Sequence, residues 1–174
     1  MIATYLQDDL AKELEILFSD SHYFDVDGNP TSLHVFKQFL PVQGVKDLPE
    51  GLTDEQLEEG TYYAAESQED PFPYIIVRLG QGTIEEPDGA EKVYVTLLMG
   101  VHDKSYDNQG YKDIMHMIQV IHHRFSKNPV LAHAYECVMP IQWALQDEES
   151  YPYFFGGMAL QFELVPIRRE DRYT

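Results

Sequence analysis

"KVYVTLLMGVH", residues 92–102, is the stretch whose reading decides the fold. Val93, Val95, Leu97, Met99 and Val101 recur at every second position. That is the period of a strand, whose successive side chains point to opposite faces, and not of a helix. Just upstream, "YIIVRLGQGTIEE" (74–86) reads as a second strand, and Pro87, Asp88 and Gly89 between the two supply hairpin-turn chemistry. Further on, "YECVMPIQWALQ" (135–146) alternates with Tyr135, Cys137, Met139, Ile141, Trp143 and Leu145 on one face. "GMALQFELVPIRR" (157–169) does the same with Met158, Leu160, Phe162 and Leu164, and "DEESYPYFFGG" (147–157) connects the pair.

Between these two pairs of strands the period changes. In "YKDIMHMIQVIHHRF" (111–125), Tyr111, Ile114, Met115, Ile118, Ile121, His122 and Phe125 recur at helical spacing, with Met117 widening the stripe. Lys112, His116, Gln119 and His123 fall on the opposite face. The spacing predicts a helix from about residue 108 to 127. A first helix over 3–18 follows from Leu6, Leu10, Leu14, Leu17 and Phe18, with Asp8, Asp9, Glu13 and Glu15 facing out. "DSHYFDVDGNP" (20–30) breaks that helix with turn formers, and "LHVFKQFLPV" (33–42) reads as an edge strand because Pro41 cannot donate to a ladder. Residues 43–73 read as an acidic excursion, long for a connection within one domain, with a capping-box signature at Thr53 and Gln56.

The order is helix, weak strand, excursion, two strands, helix, two strands. It predicts one α+β domain over 1–174: a mostly antiparallel sheet of four to five strands with two helices packed on one face, plus the excursion at about 43–73. The link through the long helix is expected to be a right-handed crossover.

Composition narrows the function. Thirty acids against twelve bases give a net charge of −18. Residues 50–91 hold twelve of the acids and a single base, Arg78. A chain so charged does not wrap nucleic acid by counterion release, which needs clustered lysine and arginine, so no sequence-specific nucleic-acid binding is expected. The single cysteine, Cys137, excludes a disulfide framework within the chain, and a reducing compartment is the simplest reading. No apolar run approaches a membrane span, and the first eighteen residues are too acidic for a signal peptide.

Motifs for chemistry fail on their spacing. His116 and His123 stand seven residues apart, about 10 Å along a helix, too far to share one ion. The two-histidine zinc pattern needs i and i+4 with a nearby acid, so no metal site is expected. "DVDGN" (25–29) opens like a calcium loop, but Pro30 stands where its glycine should be and Phe36 where its glutamate should be, which leaves a turn. "RLGQGT" (78–83) has no lysine and opens no helix, so it is no phosphate loop. The glycines of "FFGGM" (154–158) mark a bulge or a close backbone contact. Cys137 shares a face with core residues, where a thiol is usually inert, and Asp147, Glu148 and Glu149 read as a solvated turn. No catalytic residue and no cofactor is expected.

Several linked segments carry a resemblance. "FPYIIVRLGQGTIE", "VTLLMGVHDKSYDNQGY", "SYDNQGYKDIMHMIQVIHHRF" and "IQWALQDEESYPYFFGGMALQFELVPIRRED", together spanning about 72–171, resemble tail-terminator or tail-completion proteins, neck proteins of long-tailed phages and prophages. Residues 1–71 match mainly in the order of elements. The resemblance implies a structural protein without catalysis that caps the finished tail tube as a ring, expected to hold six copies, and presents a surface to head-completion proteins. It implies a place in the virion tail or neck after assembly in a bacterial cytoplasm, with DNA passing through the ring. An electronegative bore would keep that DNA from sticking.

A ring subunit needs a self-association surface. The residues chosen for it are Tyr151, Tyr153, Phe154, Phe155, Asp147, Glu148, Arg168 and Arg169. Aromatics beside acids suit an interface rim, and the same aromatics would equally serve to close the core. The competing reading is an acidic DNA mimic that inhibits a host DNA-binding protein, supported by the charge alone. A mimic should set its acids in rows at phosphate-like spacing, whereas these concentrate in one segment.

Overall fold

The structure, a computed structural model, describes residues 2–41, 70–86 and 89–164. In chain order these form α1 (Ile2–Leu17), β1 (Tyr23–Phe24), β2 (Pro30–Thr31), β3 (His34–Lys37), β4 (Tyr74–Ile84), β5 (Glu91–His102), α2 (Tyr111–Lys127), β6 (Val130–Leu131), β7 (Tyr135–Leu145) and β8 (Tyr153–Leu164). Most of the acidic excursion, including Thr53 and Gln56, and the turn residues Pro87 and Asp88 lie outside the described residues.

The α+β class holds, and the sheet differs from the expected one. Among the described residues the main sheet has six strands, not four to five, in the order β3-β4-β5-β8-β7-β6, and β1 and β2 form a separate two-stranded piece. Its pairings are antiparallel except one: β3 runs parallel to β4, from His34↔Tyr74 to Lys37↔Val77. Parallel neighbours cannot be joined by a hairpin, because the chain must return to the same end of the sheet. The long separation of Lys37 from Tyr74 in sequence therefore belongs to the topology. A second crossover joins β5 through α2 to β7, which are parallel to each other with β8 inserted between them.

One face of the sheet is sealed by both helices. Leu6, Leu10 and Leu14 of α1, Phe18 just after it, and Ile114, Met117, Ile118, Ile121 and Phe125 of α2 share one core with Ile75, Val77 and the alternating residues of β5 and β8. The buried stripe of α2 is narrower than its sequence suggests: Met117 lies at its centre, while Tyr111 and His122 are exposed. α2 ends at Asn128 because Pro129 follows, and the residue before proline is driven out of the helical region into the extended conformation it shows. Its last-turn cations Arg124 and Lys127 complement the helix dipole.

The glycines of "FFGGM" make a close contact and no bulge, since β5 and β8 pair without a register shift. A Cβ on Gly156 would stand 2.5 Å from Cγ2 of Ile114, so glycine lets the start of α2 sit directly on β8. A register shift does occur in β4 between Leu79 and Gly82, and another in β7 between Val138 and Gln142. Cys137 before the β7 shift is buried, whereas Trp143 beyond it, opposite Met158, is 52% exposed. The expectation that Trp143 shares the burial of Cys137 is thus corrected.

Arg124 ties the elements together. Its guanidinium donates to the Glu13 carboxylate on α1 and to the backbone oxygens of Asn128 and Val130. Charge-assisted bonds of this kind to a partly buried carboxylate are stronger than surface pairs. Arg124→Ala should lower unfolding stability by about 1–3 kcal/mol, read as a lower urea midpoint with unchanged slope. An unaltered midpoint would show that the three contacts contribute nothing.

Candidate functional site

The face of the sheet away from the helices carries no helix among the described residues. Strand alternation decides what it presents. His34 and Phe36 of β3, Tyr74 and Ile76 of β4, Gly100 and His102 of β5, and Tyr153 and Phe155 of β8 fall on that face by register. At one end of the sheet the rings form a belt centred on Phe72. Its ring centroid lies 5.1 Å from Tyr74, 5.1 Å from Tyr153, 6.0 Å from Phe155 and 6.5 Å from His102. Phe36 continues the belt to Tyr74 at 6.5 Å, and His34 stacks on Phe36 at 6.2 Å. His102 and Tyr153 meet edge to face at 5.1 Å. These separations are those at which aromatic pairs attract beyond simple area burial. Gly100 makes room for the belt: a Cβ there would stand 2.6 Å from the Tyr74 ring.

Three loops meet at the same end. The Lys104 ammonium donates to the Val26 oxygen at 2.6 Å, and the Tyr151 hydroxyl to the Lys104 oxygen at 2.9 Å. The Asn108 amide donates to Glu149 at 3.1 Å. "DVDGN" is a turn held by its own first residue, since the Asp25 carboxylate accepts from the backbone amides of Asp27 and Asn29. Those bonds hold Asp25 below the usual carboxylate range. Burial drives the His102 imidazole below its ordinary range; Lys104 adds to this, against Asp70, Asp103 and Asp25.

The aromatic run chosen from the sequence is split by the strand it lies on. Tyr153 and Phe155 join the belt. Phe154, between them, turns to the other face and packs against the core, where a Cβ on Gly110 would touch its ring. Tyr151 is half-exposed and pinned to the Lys104 loop. Asp147 and Glu148 are exposed in the turn before β8. Arg168 and Arg169 lie outside the described residues. Phe72, Tyr74, His102, Phe36 and His34 were not chosen. One signal pointed to Tyr74 alone: "YIIV" is apolar at four consecutive positions, which marks a strand covered on both faces.

Among the described residues, no three His, Cys, Asp or Glu side chains stand close enough to hold a metal ion. His116 faces the Tyr23 hydroxyl, 3.1 Å from Nδ1. Tyr23 is pushed up to about 12 by burial, with Asp113 adding to it. Cys137 is pushed up to about 11 by burial. No helix of the described residues is long and apolar enough to cross a membrane. No protein-family model matches this chain, and no curated protein does.

Two outcomes follow from these environments. Because the fold holds His102 below its ordinary value of 6.5, the unfolded chain takes up a proton first as pH falls, so the contribution of His102 is complete above that pH and is lost as pH falls below it. Urea midpoints at pH 7.5 and 5.5 should therefore differ more for the wild type than for His102→Gln; equal differences would remove His102 from the account. Cys137 should react with a thiol reagent at pH 8 only after denaturant is added, and rapid native labelling would contradict its burial.

Proposed function

We propose that this chain is a structural subunit of a long-tailed phage or prophage particle, of the tail-terminator or tail-completion type. It works by docking against copies of itself, the tail tube and a head-completion protein, and it performs no chemical step. The observation that carries the reading is the aromatic belt on the sheet face opposite the helices, which crosses β3, β4, β5 and β8 together with Phe72 and reaches the surface at Tyr153. Preformed aromatic surfaces of this kind suit protein contacts, since they bring large area at small cost in side-chain ordering. The resemblance over about 72–171 supplies the particular assembly. A ring of six copies on the tube, with DNA passing through it, belongs to the same proposal.

Light scattering with negative-stain imaging of the purified protein, alone and with tail tubes, tests the reading. Rings, or capped tubes, are expected. Particles made without the protein should carry overlong or headless tails, and normal tails would reject the assignment. Tyr153→Glu, at a half-exposed edge of the belt, should abolish binding to tubes while leaving the far-ultraviolet circular dichroism unchanged. A tight, salt-sensitive complex with a basic DNA-binding protein, in place of any assembly, would favour the mimic reading instead.

A further inference from the structure

We propose that the outer face of α2 receives the acidic loop end of a second copy of this chain. The inference rests on the self-assembly reading and names the pair of surfaces that would meet.

Two copies at −18 each repel at a distance, so a stable contact needs a place where cations outnumber acids. α2 is such a place. With Arg124 committed to Glu13 of α1, it carries Lys112 and Lys127 against one acid, Asp113, in its first turn. Lys112, His116, Gln119, His123 and Lys127 recur on one exposed stripe. Lys112 and Lys127 lie fifteen residues apart, about 22 Å along the axis. Elsewhere Lys37 pairs with Asp8 and Lys92 with Glu85. Neither Lys112 nor Lys127 has an ion-pair partner among the described residues. Beside the stripe a shallow groove of about 800 Å³ opens between Leu17 at the end of α1 and Val120, His123 and Lys127 of α2.

The complementary surface is the loop end. Asp107, Asp147 and Glu148 are exposed there. The bonds joining Tyr151 to Lys104, Lys104 to Val26 and Asn108 to Glu149 hold the loops in one arrangement. Loops already held in place cost little further backbone ordering on docking. The stripe and the loop end are different surfaces of one chain, so their contact is heterologous, the kind that generates a ring when the rotation closes.

Charge reversal tests this by sedimentation equilibrium of the full chain. Lys112→Glu with Lys127→Glu should weaken self-association by about tenfold or more, as should Asp147→Lys with Glu148→Lys. Mixing the two variants should restore association, because each then offers the charge the other lacks. Raising salt from 50 to 500 mM should weaken the wild type. The proposal is overturned if either variant associates as the wild type does, if the mixture is not restored, or if the wild type stays monomeric to millimolar concentration. It is also overturned if the stripe lysines bind duplex DNA in place of protein. Association that survives both reversals sinks this docking pair and leaves the tail-terminator reading standing. Normal tails in particles lacking the protein sink that reading and leave the docking pair intact.

Discussion

The antiparallel ladder between β5 and β8 carries the rest of the structure. It runs from Glu91↔Leu164 to His102↔Tyr153 without a shift of register, whereas the strands on either side, β4 and β7, each break their pairing once. An unbroken ladder keeps side chains in strict alternation along its length. One face can then be wholly apolar and sealed by two helices, while the other carries the aromatic belt. The same alternation separates Phe154 from Tyr153 and Phe155, which are neighbours in sequence and serve opposite sides of the sheet.

The margins of the sheet are finished by side chains and by breaks in regularity. β3 is short, and beyond it Gln38 takes a left-handed conformation that lets its amide continue the pairing. Its oxygen accepts from the Leu79 amide at 3.0 Å, and its nitrogen donates to the Leu79 oxygen at 3.2 Å. Gln7 reaches from α1 to the Val77 oxygen at 2.7 Å and fixes the helix against the same edge. At the opposite margin β6 covers only the start of β7, and Pro140 with the register shift interrupts the remaining edge. Short strands, proline and irregular pairing all discourage uncontrolled edge-to-edge association.

Charge is distributed with the same division of labour. α1 carries Asp8, Asp9, Glu13 and Glu15 against Lys12, while α2 is cationic, so the two helices on one face of the sheet attract each other through Glu13 and Arg124. The net charge of −18 makes copies of the chain repel one another at long range.

The sequence by itself determined the elements whose period is strong. The strands β4, β5, β7 and β8, the alternation of β5 and β8 and the stripes of α1 and α2 were legible, because apolar spacing reports directly which face of an element is buried. The turn reading of "DVDGN" was legible too, because Asp25 satisfies the turn with its own carboxylate. β6 was not, since its turn uses Ala132 and His133 in the left-handed region, where asparagine and glycine are the usual signal. β1 and β2, at two residues each, are too short to show any period. Only the tertiary structure decided that β3 lies parallel to β4, that β8 inserts between β5 and β7, and that Phe72, His102 and Tyr153 meet in one belt. Those outcomes depend on pairings between residues far apart in the chain, and spacing within a segment carries no information about which distant strand lies beside it.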